Sequence, residues 1–229
     1  MKYYNIHKAT FISRPNRFIA ECELDGERVI AHVKNTGRCR ELLVDGATVY
    51  LDKPSGRIRK TEYDLVAVEK RLDNGETVLI NMDSGAPNDA VAEFVTGIFP
   101  DASSIRREVT RGNSRFDFCI AEDSKTTFLE VKGVTLESNG VAMFPDAPTE
   151  RGVKHIDELI KLKGQGYGAI IFFVIQMKGV REFRPNDFTH SAFGDALRRA
   201  KQAGVSILAY DCTVTADSMI IDAPVPVKL

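Results

Sequence analysis

Two stretches hold the residues best suited to chemistry: Ser114-Arg115-Phe116-Asp117-Phe118-Cys119-Ile120 and, soon after, Phe128-Leu129-Glu130-Val131-Lys132-Gly133. Both alternate apolar and polar side chains at the two-residue period of a strand. The first is expected to set Phe116, Phe118 and Ile120 on one face and Arg115, Asp117 and Cys119 on the other. The second sets Leu129 and Val131 on one face, with Phe128, Glu130 and Lys132 opposite. A two-residue turn at Asp123-Ser124 folds the pair into a hairpin in which Asp117 lies directly across from Glu130. Like charges facing each other across a strand pair are destabilising. A divalent cation removes that penalty, because Mg²⁺ is held by one or two carboxylates and keeps several waters. Lys132, on the same face as Glu130, is placed to activate a metal-bound water and to stabilise charge on a phosphate. The expected catalytic set is therefore Asp117, Glu130 and Lys132, with Asp117 and Glu130 holding Mg²⁺ or Mn²⁺ for phosphodiester hydrolysis. A Glu-x-Lys triplet by itself also arises on solvated sheet faces, and the Asp on the partner strand is what distinguishes this one.

The elements that must position these residues fall into two groups. Six strand-like runs occupy the first part of the chain, at Phe11-Ile12, Phe18 to Ala20, Val29 to Val33, Thr48 to Leu51, Tyr63 to Val68 and Thr77 to Ile80. Asp25-Gly26, Asp45-Gly46, Ser55-Gly56 and Asn74-Gly75 punctuate them, and Asx-Gly is a strong hairpin signal. This density of short strands predicts a small barrel or sandwich, with one short helical connector at Arg38 to Leu43. From Gly85 the elements lengthen: a helix to Gly97, strands at Ile105 to Thr110, Arg115 to Ala121 and Thr126 to Leu136, a helix from Thr149 to Lys163, a strand from Ala169 to Gln176, a helix from Ala192 to Ala203, and a strand from Val205 to Tyr210. Strands alternating with helices predict a mixed-sheet domain. The fold class read from this is α/β (α+β) in two domains, 1–82 and 83–229.

The order helix, strand, Asp-bearing strand, Glu-x-Lys strand, helix, strand resembles the PD-(D/E)xK nuclease superfamily. That resemblance implies the roles given to Asp117, Glu130 and Lys132, and an additional acidic ligand from the first helix, for which Glu93 is the candidate and Glu108 the second choice. A fuller set of motifs is similar to the sugar fermentation stimulation protein (SfsA) family over nearly the whole chain. It comprises His32-Val33-Lys34-Asn35-Thr36-Gly37-Arg38 with Glu41-Leu42, the Ser114 to Phe118 run, Glu130-Val131-Lys132-Gly133-Val134-Thr135-Leu136, and Phe144-Pro145-Asp146-Ala147-Pro148-Thr149 with Arg151-Gly152 and Lys154-His155. The resemblance implies an N-terminal OB-fold joined to a PD-(D/E)xK nuclease-like domain, DNA binding, and a role in regulating sugar catabolism.

The expected partner is DNA, single-stranded or duplex, and a homodimer is left open. The chain has 31 Lys+Arg against 32 Asp+Glu, a formal net charge of -1, which argues against a general basic coat but allows a local strip. Between Lys34 and Lys60, the basic residues Lys34, Arg38, Arg40, Lys53, Arg57, Arg59 and Lys60 outnumber Glu41, Asp45 and Asp52. The nucleic-acid-binding residues expected here are Lys34, Asn35, Gly37, Arg38, Arg40, Arg57 and Arg59, with Arg151, Lys154 and His155 on the second helix. Tyr50 and Tyr63 offer stacking surfaces, and Arg14 and Arg17 further phosphate contacts. Asn35 to Arg38 reads either as a phosphate nest or as a cap for the short helix. Arg151 and His155, four apart, either contact phosphate or water or form the exposed side of an amphipathic helix. Four scattered cysteines without metal spacing, a polar start and no apolar run long enough to span a bilayer predict a cytoplasmic protein. Beside the nuclease reading stand a DNA-binding regulator that does not cut and, with less support, a small-molecule hydrolase or sugar sensor.

Overall fold

The computed structural model describes residues 1–35, 37–55, 61–72 and 75–229. Arg57, Arg59 and Thr36 lie outside the described residues. The first part is a sheet of β1 (Ile6–Asn16), β2 (Ile19–Leu24), β3 (Glu27–Val33), β4 (Thr48–Asp52), β5 (Tyr63–Arg71) and β6 (Thr77–Asn81). Its strand order is β3-β2-β1-β4-β5-β6, and a parallel pairing of β3 with β5 closes it into a barrel. The interior is filled by Phe11, Val33, Val49, Leu51, Leu65, Val68 and Ile80, all essentially inaccessible. At the β2–β3 hairpin, Asp25 and Gly26 both take positive φ, 53° and 83°, as a tight turn requires. Residues Arg38 to Leu43 form a turn rather than the expected helix, with Leu43 N donating to Cys39 O and Cys39 itself at φ 44°. A left-handed residue at that point breaks helix propagation.

The second part is a three-layer arrangement. A mixed sheet of order β15-β14-β12-β9-β8-β7 is built from β7 (Ser104–Arg111), β8 (Ser114–Glu122), β9 (Lys125–Val134), β12 (Gly168–Ile175), β14 (Ser206–Val214) and β15 (Met219–Pro224). Strand β12 pairs in parallel with both β9 and β14, and every one of its residues is buried, as a continuous apolar central strand demands. Helix α1 (Ala86–Ile98) covers one face over Phe118, Ile120, Leu129, Val131 and Phe172. Helices α2 (Glu150–Gly164) and α3 (Asp187–Gln202) lie on the opposite face, over Phe116, Phe128, Ile171 and Phe173, in an apolar cluster continuous with the barrel core. A small sheet of β10 (Leu136–Ser138), β11 (Val141–Phe144) and β13 (Glu182–Pro185) joins the barrel side. Strands β11, β13 and β15 and the first turns of α3 carry no strong periodicity and go unseen in the sequence reading. Helix α3 starts at Asp187, before a break at His190.

The hairpin register is as the turn at Asp123-Ser124 requires, with Glu122 opposite Lys125 and Phe118 opposite Leu129. The expected facing of β8 needs one correction. Phe118 and Ile120 pack on the α1 side, but Phe116 packs with Phe128 on the α2 side. The alternation slips at Asp117, where the ladders to β7 and to β9 are both interrupted and Glu108 on β7 takes φ 54°.

Helix α2 is fixed at its start by Thr149, whose side chain accepts from the backbone N–H of Gly152 at 3.0 Å. Thr149→Ala is expected to lower unfolding free energy by about 1 kcal/mol, read from the urea midpoint at unchanged slope.

Candidate active site

Asp117, Glu130 and Lys132 come together where the β8–β9 ladder opens. Because the strands part there, the Val131 N–H has no partner on β8, and the Asp117 carboxylate takes it at 2.7 Å. The other Asp117 oxygen accepts from Asn88 Nδ2 at 2.9 Å. Glu130 is buried; its Oε1 receives the Lys132 ammonium and meets Nδ1 of His155 on α2. Its Oε2 is buried with no hydrogen-bond partner among the described residues. Arg151 Nε lies 3.4 Å from the far ring nitrogen of His155, one turn earlier on α2.

The two carboxyls are driven in opposite directions. Burial raises the Asp117 carboxyl above its ordinary range, and the negative charge of Glu130 adds to the rise. Burial alone would raise Glu130 too, but the His155 hydrogen bond and the Lys132 ammonium outweigh it and leave the group below its ordinary value. Two close carboxyls with opposite shifts are the usual mark of a site that handles charge. Among the described residues no cluster of three or more His, Cys, Asp and Glu side chains is arranged to share a metal ion. The donor set present is narrower: Asp117 and the orphaned Oε2 of Glu130. Such a pair fits a hard divalent cation that brings its own waters.

Several expected site residues lie elsewhere. Glu93 is solvent-facing and bound to the N-terminal ammonium at 2.7 Å. Glu108 is exposed and faces Arg115 at 3.6 Å. Helix α1 contributes Asn88 in their place. The one available signal was its position in the first turn of a helix that starts just after the domain junction. His155 is buried against Glu130 rather than presented on an exposed helix side, because the α2 apolar stripe of Ile156 and Leu159 turns it toward the sheet.

The barrel loops also differ from expectation. Arg14 is engaged by four backbone carbonyls, of Gly37, Arg38, Arg17 and Asn35, at 2.7 to 3.1 Å. The amides expected to form a phosphate nest are already used: Gly37 N donates to Asn35 Oδ1 at 2.8 Å, and Arg38 N donates to Asp146 Oδ2 at 3.0 Å. Lys34 is ion-paired with buried Asp83. Tyr50 donates to Glu69, and Tyr63 is buried edge-on to His7. Arg38, Arg40, Arg151 and Lys154 remain exposed.

The comparisons agree with this architecture. The family profile "Sugar fermentation stimulation protein RE domain" matches residues 85–218, and "SfsA N-terminal OB domain" matches residues 12–80. The chain belongs to the sugar fermentation stimulation protein family. A homolog of that name from Desulfitobacterium hafniense (strain Y51) is 54% identical over 230 residues, covering 100% of this chain and 99% of the relative. One from Clostridium beijerinckii is 52% identical over 223 residues, covering 96% of each. Among solved structures, "The structure of Pyrococcus Furiosus SfsA in complex with Ca2+" superposes with a TM-score of 0.87 at 26% identity, covering 100% of this chain and 98% of that one. As in that family, the barrel is an OB domain. None of the four cysteines is disulfide-bonded, and burial pushes the Cys22, Cys39 and Cys212 thiols up to about 12. Among the described residues no helix is long and apolar enough to cross a membrane.

The shifts give a signed prediction. With its folded pKa below the unfolded value, Glu130 contributes stability above its unfolded pKa and loses it as pH falls through the folded one. Glu130→Gln is therefore expected to cost stability at neutral pH and progressively less in acid, measured by urea unfolding between about pH 3 and 7. A pH-independent difference would contradict the assignment. A second prediction concerns Gly37, where an added Cβ would sit 2.1 Å from Asp146 Oδ2. Gly37→Ala is expected to separate that loop from the 144–149 segment and to cost about 1–3 kcal/mol, with Gly37→Ala/Asp146→Ala recovering part of it in a double-mutant cycle.

Proposed function

We propose that the protein binds DNA with little sequence preference and that its second domain is of the PD-(D/E)xK type, hydrolysing phosphodiester bonds with Mg²⁺ or Mn²⁺. The observation that carries this reading is the buried, unpartnered Oε2 of Glu130 beside Asp117, on the strand that also presents Lys132. A buried carboxylate oxygen left without a donor is costly, and a cation would relieve it. The Ca²⁺ named for the Pyrococcus furiosus relative supports divalent-cation binding by this chain. When bound, such an ion supplies Lewis-acid polarisation of the phosphate and acidifies an attacking water.

The residues of this chain do the rest. Asp117 and Glu130 hold the cation, each oriented from behind: Asp117 by Asn88 and the Val131 amide, Glu130 by His155. Lys132, held beside Glu130, would stabilise negative charge building on the phosphate oxygens. Arg151 and Lys154 on the exposed side of α2 are suited to the flanking phosphates. The second reading, a regulator that binds without cutting, is favoured by one observation: Glu93 is bound to the N-terminal ammonium, and among the described residues no third acidic group joins the pair. In either reading the family name suggests a regulatory link to sugar catabolism, and four unbonded, buried thiols suit a reducing, cytoplasmic setting.

Incubation with single-stranded, duplex and branched DNA in Mn²⁺, Mg²⁺ or chelator tests the assignment. Cutting is expected only with metal, and Asp117→Ala and Lys132→Ala are each expected to reduce it by about a hundredfold or more. Metal-dependent cutting that persists unchanged in both variants would sink the site assignment. Absence of cutting with binding that weakens steeply with salt would select the regulator.

A further inference from the structure

A cleft of about 380 Å³ runs along the seam between the domains. Its floor includes Gly133, the residue after Lys132 on β9, and one wall is the 143–149 segment leading into α2. Among the described residues, Arg17 and Asp146 are its only charged lining residues; Asn35, Ser84, Thr135, Thr149 and Gln176 line it with amide and hydroxyl groups, of which Asn35 Oδ1, Ser84 Oγ, Thr149 Oγ1 and Gln176 Nε2 each already make a bond within the protein. Such a lining is poorly suited to a phosphate and well suited to the hydrogen-bonding edge of a base. The volume is that of a single small-molecule ligand, too small for a base pair still stacked within a duplex.

One lining residue, Arg17, belongs to the β1–β2 turn. Asn16 pairs with Ile19, so Arg17 and Phe18 are the two central residues of a two-residue hairpin. Neither takes a positive φ, so the turn accepts most residue types and does not itself call for Arg and Phe. Phe18 is 42% exposed and packs into neither apolar cluster. The Arg17 guanidinium lies 4.5 Å from its ring centroid. The turn is held still from three directions: Arg14 Nη2 donates to Arg17 O at 2.7 Å, Val33 N to Phe18 O at 2.8 Å, and Phe18 N to Asn16 Oδ1 at 2.9 Å. An exposed aromatic plate on a braced turn, with a cation over it, is a preorganised stacking platform.

We infer that the seam cleft seats an unpaired base of a single DNA strand, with Phe18 stacking on a neighbouring base and Arg17 contacting the phosphate between them. This rests on the DNA-binding reading above and gives it a substrate class: unpaired rather than duplex DNA. A duplex keeps its bases inside the stack, where neither Phe18 nor the cleft reaches them.

The test is fluorescence anisotropy of the full chain with a labelled oligothymidylate and with a blunt duplex of the same length, in chelator so that no cutting intervenes. The single strand is expected to bind more tightly. Phe18→Ala is expected to weaken its binding by about fivefold or more while leaving duplex binding unchanged, and Phe18→Trp to restore it. Because Phe18 lies outside both cores, thermal unfolding of the variants is expected to match the parent. Equal affinity for the two probes, or a Phe18→Ala effect that is absent or shared by both, overturns the inference while leaving DNA binding in place. Failure to bind either probe overturns the DNA-binding reading itself, and this inference with it.

Discussion

A buried pair of carboxylates on adjoining strands is the constraint around which the second domain is arranged. Two such groups cannot both be charged and desolvated without donors directed at them. The strands therefore part at Asp117, and the amide released on β9 becomes a donor to that carboxylate. Helix α2 must bring His155 inward, and α1 must bring Asn88 to the far oxygen. These requirements fix the two helices on opposite faces of the sheet at the same level. Even so, one oxygen of Glu130 stays without a donor, in a domain whose central strand is otherwise buried and apolar throughout.

The barrel is attached where that strain is concentrated. Asp83, at the junction of the domains, accepts from Tyr3, from the Gly85 amide and from Lys34 of the barrel. Asn81 and Gln176 bond to each other through both main chain and side chain, and Gln176 Oε1 lies where a Cβ on Gly133 would be. Glycine at 133 is thus a matter of close approach: β9 meets the junction network immediately after Lys132. A shift of the barrel would act on the strand that carries the site, so the orientation of the domains and the geometry of the triplet are coupled mechanically.

Much of this was legible in the residues. The Asp123-Ser124 turn determined the hairpin register, and the period of β9 placed Glu130 and Lys132 on one face. The barrel strands followed from their turn residues. What escaped is instructive. Period-two alternation assumes an unbroken ladder, so Phe116 was assigned to the wrong face, because nothing local marks the slip at Asp117. His155 was misplaced because a polar residue beside Arg151 reads as surface until its buried acceptor, distant in sequence, is known. Glu93 had the right charge on the right helix but points to the N-terminus, while the residue that reaches the site is an uncharged Asn88.

The distribution of cations bears on how such a chain could hold a polyanion. A net charge of -1 already limits bulk attraction, and the structure limits it further by spending basic residues internally. Arg14 is consumed by loop carbonyls, Lys34 by Asp83, Lys70 by Glu137, and Lys132 by Glu130. Many cations remain exposed among the described residues, Arg17, Arg38, Arg40, Arg106, Arg111, Arg151 and Lys154 among them, and each exposed ion pair with a phosphate is screened at physiological salt. Contacts that salt does not weaken would add to what those charges supply. Exposed aromatic surface and uncharged hydrogen-bonding groups are the means available, and both lie at the junction between barrel and sheet. On the DNA-binding reading proposed above, the barrel is the part placed to select what reaches the carboxylate pair, by shape and stacking as well as by charge.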